Sequence, residues 1–189
     1  MPLSSRPLAG ITQQAKTAIV VTLRCTRRLL VHLEIHPVDE PLPATGRLGD
    51  WYAKLIFTDA GDLIIFVNER SLLTVAVPVW ETKNLVEMFR LRVANLLSLI
   101  GVPTRGISEE IDHLAPVQFA RTASRSLLGS MNDIAWQYQV MAEGGSAEGG
   151  LSLSDAENGL SEMPCGPLDY RFPRDVAREL LGIPARSAS

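Results

Sequence analysis

At 189 residues, with 46% hydrophobic and 21% charged side chains, the chain has the makeup of one ordinary globular domain, which excludes wholesale disorder and fibrous architecture. A net charge of −3, from 18 basic and 21 acidic residues, lacks the basic excess of a dedicated nucleic-acid coat, although a local basic patch remains compatible with it. No apolar run approaches the ~20 residues of a membrane-spanning helix, and Cys25 and Cys165 stand far apart without a CxxC, as expected of reduced, structural thiols in the cytoplasm.

Residues 1–17 read as a disordered polar leader without the apolar core of a secretion signal. A single domain is expected over 18–182, beginning with "AIVVTLRC", which is continuous and β-branched enough for a strand buried on both faces. Thr26 can cap a short helix carrying Leu29, Leu30 and Leu33, which Pro37 stops. His32 and His36 have the i, i+4 spacing of a helical metal pair, but that stop intervenes and no third ligand is spaced with them. No metal site and no cofactor are therefore expected.

After the Pro-rich loop "HPVDEPLPATGRLGD", three apolar runs separated by "DAGD" and "NERS" predict an antiparallel meander, with helices covering its apolar faces. Periodicity predicts a packing helix over 82–100, and "SEEIDHL" a further turn or two capped by Ser108. "VQFAR" is a short strand, and Leu127, Leu128, Met131, Ile134, Ala135, Tyr138 and Met141 share the core face of a helix over 127–142. A Gly/Ser-rich loop near 143–152, short C-terminal helices and a frayed tail over 183–189 complete the chain. The expected class is α+β, with an antiparallel-rich sheet of about five strands.

Chemistry concentrates in "RTASRSLLGSMND". Arg121 and Arg125 stand with Ser and Thr ahead of a helix whose start presents free N–H groups, a setting suited to an anion or to simple capping. Gly129 costs the helix ~1 kcal/mol against alanine, which calls for a closely packed backbone or an approaching ligand. The candidate ligand-binding set is Arg121, Arg125, Ser126, Ser130, Asn132 and Asp133, joined by Arg24 and Arg27 of "RCTRR" if the two strand-to-helix junctions are neighbours.

The favoured reading is non-enzymatic binding of a nucleotide or a nucleic-acid phosphate. A carboxylate-dependent hydrolase or nuclease using Asp133 with Asp50, and Glu69 near them, is the alternative; Asp50 and Glu69 sit where turns ordinarily leave charges solvated. A third reading is a protein-interaction module anchored by an exposed Trp51 or Trp136. The familiar nucleotide-loop, zinc-protease and serine-hydrolase signatures are absent.

The blocks "LRCTRRLL" at 23–30, "GDWYAKLIF" at 49–57, "LIIFVNERSLLTVAVP" at 63–78, "ARTASRSLLGSMND" at 120–133 and "MPCGPLDYRFPRDVARELL" at 163–181 resemble an uncharacterised bacterial domain-of-unknown-function family. Arg121, Thr122, Arg125, Ser126, Gly129, Met131, Asn132 and Asp133 fit that family's pattern, while Ala123 and Ser124 replace its two amides. The resemblance implies no activity, substrate or partner.

Overall fold

The computed structural model describes residues 20–59, 61–144 and 152–184. The expected leader over 1–17 and most of the Gly/Ser-rich loop and of the tail lie outside them.

The sheet holds five strands: β1 (Val21–Cys25), β2 (Trp51–Ile56), β3 (Leu63–Asn68), β4 (Thr74–Pro78) and β5 (Val117–Arg121), in the order β4-β3-β2-β1-β5. The meander β2-β3-β4 is antiparallel, as "DAGD" and "NERS" predict. At the second turn the Asn68 side chain accepts from the Ser71 backbone N–H at 2.9 Å and from its hydroxyl at 2.8 Å, a local bond that sets the reversal. β1 pairs parallel with both β2 and β5, so the sheet is mixed.

Six helices accompany these strands among the described residues: α1 (Arg27–His32), α2 (Leu85–Leu99), α3 (Thr104–His113), α4 (Arg125–Gly144), α5 (Leu153–Ser161) and α6 (Pro173–Leu180). They form two layers. On one face Leu23, Trp51 and Phe66 join Leu29 of α1, Phe89 and Val93 of α2 and Ala177 of α6; the Trp51 and Phe89 rings meet edge to face, with centroids 5.2 Å apart. On the other face Tyr52, Ile65 and Val67 pack under Leu127, Met131, Ile134 and Tyr138 of α4 and Leu160 of α5. Burial on both faces is why β3 and β4 read as nearly continuous apolar runs rather than as alternation.

Two buried carboxylates tie these layers to backbone that would otherwise be unsatisfied. Glu110 of α3, 2% exposed, accepts from the N–H groups of Arg47 at 3.0 Å and Leu48 at 3.1 Å and so pins the long loop before β2. Glu157 of α5 accepts from the Ala76 N–H on edge strand β4 at 2.8 Å and from Arg92 Nε at 3.0 Å, which occupies an edge donor. Burial, opposed by Arg92, pushes the Glu157 carboxyl up to about 7.

Several expectations are corrected. α3 starts at Thr104, directly after Pro103, so Ser108 lies inside the helix and caps nothing. Thr26 precedes α1 without a side-chain capping bond. Trp51 is fully buried, because its strand position faces α2, and cannot anchor a partner; Trp136 is 65% exposed. No described helix is long and apolar enough to cross a membrane.

Candidate functional site

β1 and β5 are adjacent, parallel and in register from Val21 opposite Val117 to Cys25 opposite Arg121. The two arginine-bearing junctions therefore leave the sheet side by side. They leave it toward opposite layers: α1 packs with α2, whereas α4 covers the face of Tyr52 and Ile65. Such a divergence between neighbouring parallel strands opens a crevice at their carboxyl ends, the place where open α/β sheets receive ligands.

A cleft of about 720 Å³ lies there. Arg27, Arg121 and Thr122 supply donors, and Leu30, Val31, Ile35 and Pro37 an apolar wall. The wall belongs to α1 and to the segment after it, where Val38 bridges to Ala120 and its N–H donates to Phe119 O at 2.8 Å. Neither Arg27 nor Arg121 forms an ion pair with another described residue. Both guanidiniums are thus available to a carboxylate or phosphate, which they suit through bidentate donor geometry. Glu34 adds an acceptor on the same lining and His36 a ring beyond the end of α1. Cys25 also reaches the cleft, but burial pushes its thiol up to about 12, so it is a packing group rather than a nucleophile.

The remaining members of the sequence-derived set are dispersed. Arg24 points to the opposite face, where its Nε donates to Asp50 Oδ2 at 2.9 Å. Asp50 is buried rather than solvated and also accepts from the Thr22 N–H, so this carboxylate is committed to holding β1 and β2 together. Glu69 accepts from the Asp50 N–H at 3.2 Å. Ser126 and Ser130 line a second recess of about 330 Å³ with Tyr52, Glu69 and Arg70.

Ser124 accepts from the Leu127 N–H at 3.2 Å and hydrogen-bonds Ser126 at 3.0 Å, so the start of α4 is capped from within the chain. Asn132 accepts from Lys54 Nζ, a lysine whose pKa is lowered by burial. Arg125 and Asp133 are exposed and form no ion pair with another described residue. A Cβ at Gly129 would meet nothing within 4 Å among the described residues, which overturns the expectation of a closely packed backbone there.

His32 and His36 gather no third ligand: among the described residues no group of three or more His, Cys, Asp or Glu side chains could hold a metal ion. Sequence reasoning placed Thr122 with the serines ahead of α4 and missed Glu34 and the apolar wall. Their signal was the strand pairing itself, since only the adjacency of β1 and β5 brings position 27 to position 121.

No curated protein and no solved structure matches the chain. The sequence profile of the family described as domain of unknown function DUF6933 matches residues 22–176, from β1 into α6, and the chain therefore belongs to that family.

Proposed function

We propose that this domain is a binding module for a small organic anion, a nucleotide foremost, held in the cleft at the carboxyl ends of β1 and β5. The observation that carries this reading is the convergence of Arg27, Arg121 and Thr122 on one cavity by the in-register pairing of Cys25 with Arg121. Its lining suits the parts of such a ligand separately. The guanidiniums match a phosphate or carboxylate, Leu30, Val31, Ile35 and Pro37 match a planar or apolar moiety, and the Glu34 carboxylate accepts from a ligand hydroxyl or amino group. The start of α4 is less suited, because Ser124 already accepts from the Leu127 N–H there.

The test is a low-salt thermal-shift screen of the full chain against nucleoside mono-, di- and triphosphates, inorganic phosphate and short DNA and RNA. Wild type, Arg27→Ala, Arg121→Ala and, as a control, Arg105→Ala, whose guanidinium pairs with Glu109 on α3, are compared. A ligand at about 100 times its Kd raises stability by about 2.7 kcal/mol, so a clear shift is expected in wild type and in Arg105→Ala and loss of it in the other two variants. Equal shifts in all four proteins would refute the site, and no shift with any ligand would refute the ligand class.

A further inference from the structure

α4 covers the sheet with Leu127, Met131, Ile134 and Tyr138. Its opposite side carries Arg125, Gly129, Asp133, Trp136 and Val140, spaced four, four, three and four residues apart and so aligned in one narrow stripe. All five are exposed, Trp136 at 65% and Val140 at 47%. Among the described residues nothing explains the stripe. Gly129 weakens the helix and its missing side chain faces open space, while a large indole stands bare two turns further along.

We infer that this stripe is a homodimer interface, in which α4 crosses α4 of a second copy antiparallel about a two-fold axis through Gly129. The charges select that occupant and that register. Arg125 lies four residues before Gly129 and Asp133 four after it, and neither forms an ion pair with another described residue.

A two-fold axis at Gly129 sets each Arg125 opposite Asp133 of the second copy, so the stripe is complementary to itself and two ion pairs form at once. The paired glycines let the helix axes close to about 8 Å. Trp136, seven residues after the axis, then meets the strand-to-helix corner at Thr122 of the second copy, seven residues before it. That corner is the rim of the cleft described above, so each copy's indole borders the other's cavity.

The experiment is sedimentation velocity on the full chain from about 1 to about 100 µM at low salt, where association by mass action is read directly. Wild type, Arg125→Asp, Asp133→Arg and the double variant Arg125→Asp/Asp133→Arg are compared, with far-UV circular dichroism to confirm that each is folded. Wild type sediments as a dimer at the upper concentrations. Each single reversal places like charges opposite each other twice and weakens association by about tenfold or more. The double variant restores both pairs with reversed polarity and regains the dimer, which a folding defect could not produce. A monomeric wild type across the range, singles that dimerise like wild type, or a double variant as dissociated as the singles would each overturn the inference.

Discussion

Replacing Gly129 with alanine should stabilise the isolated chain, because glycine is the poorer helix former at this position in the second turn of α4. The position is interior to α4, and the added methyl meets nothing within 4 Å. No steric cost therefore offsets the helix propensity gain, which is about 1 kcal/mol for Gly to Ala. Part of that gain acts through the unfolded chain, whose backbone freedom falls. For a domain of this size about 1 kcal/mol corresponds to a rise in Tm of roughly 2 to 4 °C.

The assay is urea denaturation followed by far-UV circular dichroism at about 1 µM, where association contributes little. An unchanged or lowered midpoint would mean instead that the Cβ position is occupied or that α4 is not helical there. At high concentration the same substitution should weaken association, since the methyl lies at the closest approach of the two helices.

Glu110→Ala removes the carboxylate that accepts two backbone N–H groups of the loop before β2, and a loss of about 2 to 4 kcal/mol in urea stability is expected; a change within experimental error would show that the loop holds itself. Glu157 gives a pH signature. Its folded pKa is raised from 4.5 to about 7, chiefly by burial, so between those values the folded state binds the proton that the unfolded state releases. Stability from this group is therefore full below the unfolded value and falls as pH rises through 7, by at most about 1.4 kcal/mol per pH unit. Urea midpoints for wild type and Glu157→Gln across pH 5 to 8 test this (buffer values chosen around the ~7 of the folded carboxyl): the variant should lack that slope, and equal slopes would place the titration elsewhere.

Local chemistry made the sheet's strands legible. The β-branched run at 20–25, the two turns of the meander and the helical periodicities of α2 and α4 each announce themselves within a few residues, and the structure follows them. The parallel pairing of β1 with β5 was not legible, because nearly a hundred residues separate partners that no local signal links. The same limit hid the cleft.

Charged residues misled for a different reason. Asp50 sits beside a glycine in what reads as a solvated turn, and Glu110 and Glu157 sit in polar stretches, yet all three are buried where backbone donors or arginines await them. Composition cannot reveal such partners, since a carboxylate's burial is decided by the donors that the fold brings to it. Trp51 and Trp136 each stand next to one polar residue, Asp50 and Gln137, and only the face each occupies separates a core ring from an exposed one.

The ligand site proposed above is the crevice between β1 and β5 rather than the serine-lined start of α4. Two-dimensional amide NMR of the full chain, titrated with adenosine diphosphate and separately with inorganic phosphate, distinguishes the two positions. Saturable shifts concentrated at Cys25–Arg28 and Phe119–Thr122 are predicted. Shifts centred on Ser124–Ser130 and Tyr52, or none with either probe, would contradict it.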